Sequence, residues 1–260
     1  MPHFQANLSM MFQEVDFLRR FAAAAQAGFT SVEMMFPYNY EAEQISQLLS
    51  KHKLMMDLFN LPPGDFKNGE RGIAALPGRQ SDFKQFADKA LDYAKALSCH
   101  KLHCMSGIVP TGVSQAECTK IYIENLQYLA HKAEPLGIEI LVEAINPIDM
   151  PNYLVNNQEQ SLEIVQQVGL DNVKMQFDIY HCQMAQGNVA VRFAKFLPYI
   201  GHVQVADVPG RHEPGTGEIN YPFLFQYIDD MGYQGTIGCE YIPKDNTQIG
   251  LSWLKNYQNK

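Results

Sequence analysis

Residues 136–146 read LGIEILVEAIN: a glycine, a run of apolar and β-prone residues, and a glutamate near its end. The same shape recurs at 27–34 (AGFTSVEM), 168–177 (VGLDNVKMQF) and 231–240 (MGYQGTIGCE). In each, a helical pattern stops at glycine, a tight turn follows, and a strand begins. Glycine suits that stop because it takes the left-handed conformation that closes helices without a Cβ clash. Read outward from these four stretches, strands are expected at 5–10, 31–36, 54–61, 101–108, 139–145, 173–178, 201–206 and 236–241. Helical patterns fill the intervals at 14–27, 41–52, 81–97, 114–133, 158–168, 189–196 and 221–231, with a short last helix at 250–257.

Strands alternating with helices imply parallel pairing through right-handed crossovers. Eight such units in 260 residues favour a closed (β/α)₈ TIM barrel, one domain over 1–260, against an open doubly wound sheet. An open sheet with a nucleotide site would carry G-x-G-x-x-G after its first strand; this chain has Ser9, Met10, Met11 and Phe12 there. Gly215-Thr216-Gly217 reads as a flexible loop before the seventh helix.

The composition is that of a chain with a large core, 46% hydrophobic and 18% charged, with no low-complexity tract. A net charge of −8 argues against a nucleic-acid backbone or an anionic membrane as partner. No secretory signal and no membrane-spanning run is read, so a cytoplasmic location is expected. Cys99, Cys104, Cys118, Cys182 and Cys239 are scattered and odd in number, and are expected to be reduced packing residues. The paired methionines Met10, Met11, Met34, Met35, Met55 and Met56 read as core filler. His100 and His103, flanking the fourth strand, are expected to pack or lie exposed; Trp253 is expected to cap the barrel or enter a subunit contact, and a homo-oligomer is possible.

Four consecutive strands each carry a potential metal ligand toward their C-terminal ends: Glu143, Asp178, Gln204 and Glu240. A carboxylate among apolar neighbours is costly unless paired or bound to a cation. One such residue is explained by a buried ion pair; four in succession point to a common ligand at the barrel mouth, where strand ends converge. An all-oxygen donor set suits Mg²⁺ or Mn²⁺. Asp178 and Gln204 would serve as ligands alone, whereas Glu143 and Glu240 could also move protons.

These residues, with ANLSMMF, FPYNY, GERGIAALPGR, VEAINP, FDIYHCQ, IGHVQVADVPGRHEPGTGEINY and GCEYIP, resemble the xylose isomerase-like barrels along the whole chain. More closely, the chain is similar to hydroxypyruvate isomerases and their 2-oxo-tetronate isomerase relatives. The resemblance implies that Glu143 and Glu240 are proton donor and acceptor, and that these two with Asp178 and Gln204 hold the divalent ion. Gln204 stands where ketohexose 3-epimerases usually have histidine, which points away from a sugar substrate. The implied reaction interconverts hydroxypyruvate and 2-hydroxy-3-oxopropanoate, or the corresponding 2-oxo-tetronate pair, through an enediolate; which glutamate abstracts the proton stays open, and so does a hydride shift.

A hydroxy-keto acid needs a partner for its carboxylate. Arg211, after the seventh strand, is the first candidate because its planar fork matches carboxylate geometry, with an ion pair to Glu213 as the alternative. His181 is expected to hydrogen-bond a substrate oxygen. Arg71 and Arg79, in the long connection after the third strand, are further candidates, and Lys244 a weaker one. Metal-dependent DNA-repair endonucleases of the same superfamily are a competing class, set against the acidic charge. A catalytically dead acid-binding barrel is set against the intact Glu143 and Glu240.

Overall fold

When every crossover helix packs on the same side of a parallel sheet, the sheet must close on itself to bury its other face. The structure, a computed structural model describing residues 3–258, closes in this way. Strands β1 His3–Asn7, β2 Ser31–Met34, β3 Met55–Asn60, β4 Lys101–His103, β5 Glu139–Glu143, β6 Val173–Asp178, β7 Ile200–Val205 and β8 Thr236–Cys239 pair in parallel in sequence order. Closure is made by β1 on β8, with His3 opposite Thr236 and Ala6 opposite Cys239. Helices α1 Phe17–Gln26, α2 Ala42–His52, α3 Gln80–Leu97, α4 Gln115–Ala133, α5 Gln158–Val168, α6 Ile179–Ala185, α7 Val189–Phe196 and α8 Tyr221–Asp230 complete the units.

Local signals account for these elements. The Ser114 hydroxyl accepts the Glu117 N–H at 3.2 Å and starts α4, whose buried Cys118, Tyr122, Leu126 and Leu129 recur at helical spacing. Gly137 and Gly169 stand left-handed, at φ 65° and 69°, at the stops read from sequence. The five cysteines are free and buried. No helix among the described residues is long and apolar enough to cross a membrane.

Several boundaries differ from expectation. Strand β1 ends at Asn7 rather than residue 10 because the Asn7 side chain accepts the Ser9 N–H and its carbonyl accepts those of Met10 and Met11. Strand β4 ends at His103 rather than 108; beyond it Gly107, at φ 110°, lies where a Cβ would come 2.7 Å from the Gly72 carbonyl oxygen. Helix α6 was not anticipated and starts directly on the last residue of β6. The expected helix at 250–257 is instead three short turns over Thr247–Gly250, Leu251–Leu254 and Lys255–Gln258. Trp253, in the middle turn, packs edge-on against Phe4 at 5.0 Å and stacks on Phe225 at 5.6 Å, so it covers the outer side of β1.

The barrel interior is polar. Glu33 on β2 meets His202 and Gln204 on β7, which is not its neighbour in the sheet, so these contacts cross the inside of the cylinder. Gly238 on β8 makes the crossing possible: a Cβ there would lie 2.3 Å from the Glu33 carboxylate. Gly238→Ala is therefore expected to destabilise the fold by about 1–3 kcal/mol, as overpacked cores do. Urea unfolding of the variant checks this, and unchanged stability would mean that Glu33 does not lie across the barrel.

Candidate active site

Three of the four strand-end residues, Glu143, Asp178 and Glu240, lie near one another, whereas Gln204 is engaged by Glu33 and Gln176; each is held by a different local device. Asp178 ends β6 and caps α6: its Oδ1 accepts the N–H groups of Tyr180 at 2.7 Å and His181 at 3.3 Å. That leaves Oδ2 buried with no hydrogen-bond partner. Glu143, the last residue of β5, also has a buried, unpartnered oxygen, Oε1. Gln204 is held at both ends, its Nε2 donating to Glu33 Oε1 at 2.8 Å and its Oε1 accepting from Gln176 at 2.6 Å. Glu240, just past β8, accepts from Asn7 Nδ2 at 3.2 Å and from Arg211 Nη2 at 2.8 Å. The same Nη2 lies 3.6 Å from Asp178 Oδ2.

These carboxyls differ electrostatically from ordinary ones. Burial, then the neighbouring Glu240 and Asp178, pushes Glu143 well above the usual carboxylate range. Burial also raises Asp178, against the pull of Arg211. Glu240 is pushed up by burial to about 8 although Arg211 opposes it. Arg211 in turn is held above its ordinary value: burial disfavours its charge, but Glu240 and Asp178 favour it more.

His181 has an assignable tautomer. Asn146 Oδ1 accepts the N–H groups of Ile148 and Asp149, which turns Asn146 Nδ2 toward His181 Nδ1 at 2.7 Å. Nδ1 is thus the acceptor. Burial, then Arg211, lowers the His181 pKa well below its ordinary value, so the ring is neutral and its proton sits on Nε2. Nε2 points inward, 3.8 Å from Asp178 and 4.0 Å from Glu143, with its N–H free to donate.

A cavity of about 240 Å³ opens over these groups and is lined by Glu143, His181, Arg211, Glu240, His103 and Arg71, with Met10, Met35, Met105 and Met150 among its apolar walls. Arg71 stacks 3.9 Å over the Phe66 ring, and Phe66 packs on Phe36, so the connection after β3 forms part of the rim. Arg79 is not brought to the cavity: Glu70 and Asp82 both hold it at 2.5 Å. Lys244 is exposed and outside the lining, and its backbone N–H is what Glu213 accepts, so Arg211 and Glu213 are not the pair considered from sequence. Met10 and Met35 are cavity wall rather than core filler, because the chain has left β1 and β2 where they stand; Met55 is exposed. His100 is exposed, while His103 is buried with neither ring nitrogen hydrogen-bonded, 3.5 Å from Glu143. Burial lowers the His103 pKa to about 3, so it too is neutral.

The loop carrying Arg211, read from sequence as flexible, has its main chain gathered on one side chain. The buried Asp207 carboxylate accepts four backbone N–H groups, from Val208, Gly215, Gly217 and Ile219, at 2.9–3.0 Å. A Cβ on Gly217 would meet the Val208 carbonyl oxygen at 2.0 Å, so glycine is required there by contact. Sequence reasoning also missed Glu33, although it carries the signal used for the other four: a carboxylate between apolar neighbours, Val32 and Met34, on a strand.

The residues present could hold a divalent cation. The orphaned oxygens of Glu143 and Asp178 are hard donors that face one another's neighbourhood, and ligand atoms of Glu143, Asp178 and His181 lie within 4.8 Å of each other. The tautomer of His181 leaves it a donor rather than a ligand. Glu240 lies outside that tight group, turned toward Arg211.

A family model described as xylose isomerase-like TIM barrel matches residues 21–257. The chain is 48% identical to the 2-oxo-tetronate isomerase of Cupriavidus necator and 44% identical to the hydroxypyruvate isomerase of Escherichia coli K12. These alignments cover 99% of this chain in both cases, and 99% and 100% of the relatives. A solved structure from Brucella melitensis, described as an AP endonuclease of family 2, superposes with a TM-score of 0.97 at 47% identity over 99% of both chains.

A carboxyl whose pKa is higher folded than unfolded favours folding below the unfolded value and loses that contribution as pH rises through the folded one. Glu143, Asp178 and Glu240 all shift in this direction. Their contribution to the stability of the metal-free protein is therefore expected to fall as pH rises from the ordinary carboxylate range to about 8. Mg²⁺ or Mn²⁺ should restore it, by more at higher pH, because ligands must be deprotonated. Calorimetry across that range checks this; an ion-induced rise in Tm that shrinks with pH would exclude a carboxylate site.

Proposed function

The chain belongs to the xylose isomerase-like TIM-barrel family and is an isomerase, and we propose that it interconverts hydroxypyruvate and 2-hydroxy-3-oxopropanoate by proton transfer between two glutamates. The observation that carries this reading is the presence of two buried carboxyls, Glu143 and Glu240, in the lining of one cavity of about 240 Å³.

The reaction moves a carbonyl between adjacent carbons. One carboxylate takes a proton from the hydroxymethyl carbon to give the enediolate, the hydroxyl proton passes from the hydroxymethyl oxygen to the former carbonyl oxygen, and the other carboxyl returns a proton to the former carbonyl carbon. Glu143 on β5 and Glu240 after β8 approach the cavity from different strands, as transfer at two neighbouring carbons requires. The His181 Nε2–H would hydrogen-bond a substrate oxygen. Arg211 and Arg71, both in the lining, are the cations available to the substrate carboxylate. A divalent cation such as Mg²⁺ or Mn²⁺, held by Glu143, Asp178, Gln204 and Glu240, would supply Lewis-acid stabilisation of the negative charge that develops on the enediolate oxygens. The apolar methionine walls keep water away from that charge and strengthen each polar contact within.

The four-carbon 2-oxo-tetronate is the second reading, favoured by the name of the Cupriavidus necator relative at 48% identity. It requires the same proton transfer on a substrate one carbinol longer. Cleavage of a nucleic-acid strand fits less well, since a net charge of −8 opposes a polyanion and the cavity is small.

Metal-stripped protein is expected to be inactive on hydroxypyruvate and to recover with Mg²⁺ or Mn²⁺; full activity in the stripped state would sink the metal-assisted mechanism. Parallel kcat/KM measurements on the three- and four-carbon acids decide the substrate. Turnover in D₂O should place solvent deuterium on product carbon, and its absence would favour a hydride shift. Glu240→Gln should lower kcat by about 10²–10⁴-fold with an unchanged circular dichroism spectrum, the range of acid–base contributions. Near-normal kcat in this variant would refute the two-glutamate route.

A further inference from the structure

We propose that Glu33, which lies outside the reaction cavity, is the positioning residue that fixes which face of Gln204 can bind a cation. The inference rests on the metal-assisted reading above, and concerns a residue that touches neither the cavity nor the proposed substrate.

The Glu33 carboxylate is buried on β2 and every one of its acceptor sites is engaged. Oε1 accepts from Asn7 Nδ2 at 3.0 Å and Gln204 Nε2 at 2.8 Å. Oε2 accepts from Gln5 Nε2 at 2.6 Å and faces His202 Nε2 at 2.9 Å. A carboxylate has about four such sites and no donor, so all four partners must turn an N–H toward it. This matters for an amide. The two ends of a glutamine side chain are almost the same in shape, and packing alone does not choose between them. Only the carbonyl oxygen binds a cation. By demanding the Gln204 NH₂ group, Glu33 leaves Gln204 Oε1 as the end directed elsewhere in the interior, where Gln176 is its present partner. Asn7 extends the same constraint, since its Nδ2 is shared between Glu33 and Glu240. One carboxylate thereby orients an amide ligand directly and restrains a glutamate through a bridging asparagine.

The surroundings are built for this role. Gly238 yields the space that the Glu33 carboxylate occupies. His202 lies between Glu33 and Asp57, 3.7 Å from the latter. A carboxyl needed only to fill volume at this position would call for neither the glycine nor four convergent donors from β1 and β7.

The test is metal affinity, read by calorimetric titration of Mn²⁺ into metal-free protein with no substrate present. Glu33→Gln keeps the shape but adds an NH₂ group where donors already converge, so at least one amide must turn over. The expected loss is about 10–100-fold in Mn²⁺ affinity, the range seen when residues that orient metal ligands are changed. Combining Glu33→Gln with Gln204→Glu reverses the pair, letting residue 33 donate to a carboxylate at 204, and should recover most of the lost affinity. A merely structural role predicts that the double variant binds no better than the single one, and that result overturns the proposal. So does a folded Glu33→Gln protein with wild-type affinity. If Glu33→Gln does not fold, Glu33→Asp, which keeps the charge but withdraws it from Gln204, decides by the same criterion: unchanged affinity refutes the proposal, and a loss of about 10-fold or more supports it. Failure of the wild-type protein to bind Mn²⁺ would instead count against the metal-assisted reading itself.

Discussion

A carboxylate removed from water must find donors or a cation, or else give up its charge. The interior of this barrel contains both extremes within one cylinder. Burial alone would push Glu33 up, but His202, Gln204 and Gln5 surround it with donors and hold it below the usual carboxylate range. Glu143 meets no such set: burial and two neighbouring carboxyls raise it, and one of its oxygens is left without a partner. The first arrangement is complete in itself. The second lacks a positive partner, and the rest of the site is organised around that shortage of positive charge. Arg211 supplies part of the deficit from the β7 loop, reaching both Glu240 and Asp178.

What surrounds these carboxyls is a set of backbone devices that leave chosen atoms free. Asp178 uses one oxygen to cap a helix, so that the other faces the site. Asn146 uses its carbonyl oxygen on two backbone N–H groups, so that its NH₂ sets the tautomer of His181. Asp207 gathers four N–H groups and holds the loop in which Arg211 stands at φ 52°, a left-handed conformation that a non-glycine residue adopts only when its surroundings impose it. The main-chain partnership of Ile242 with the Arg211 carbonyl adds to that hold. In each case a short polar side chain is tied to main-chain N–H groups, and Asn146 reaches His181 from 35 residues away in sequence.

Much of this was legible before any coordinates. The glycine stops before β2, β5, β6 and β8 mark real helix ends, and the alternation they punctuate is that of the closed barrel. Glu143, Asp178, Gln204 and Glu240 stood out because charge and amide polarity interrupt apolar strands, and the same rule should have drawn attention to Glu33. It did not, because β2 lies far in sequence from the four successive strands that made the pattern visible. Arg79 and Arg71 looked equivalent in sequence, yet one is consumed by Glu70 and Asp82 while the other stacks on Phe66 at the rim. The Gly215–Gly217 segment looked loose because its anchor, Asp207, is a single residue with no motif of its own.

By itself, then, the sequence determined that eight strands alternate with helices, that the strands run parallel, and which polar side chains sit near strand ends, while α6 and several element boundaries escaped it. Those properties follow from periodicity and from the conformational preferences of glycine, both of which act over a few residues. Only the tertiary structure decided partners: that Glu33 reaches Gln204 across 171 residues, that His103 faces the cavity while His100 faces water, and that Glu240 is turned toward Arg211. Closing the barrel brings side chains from non-adjacent strands together in its interior, and no local pattern records which of them will meet.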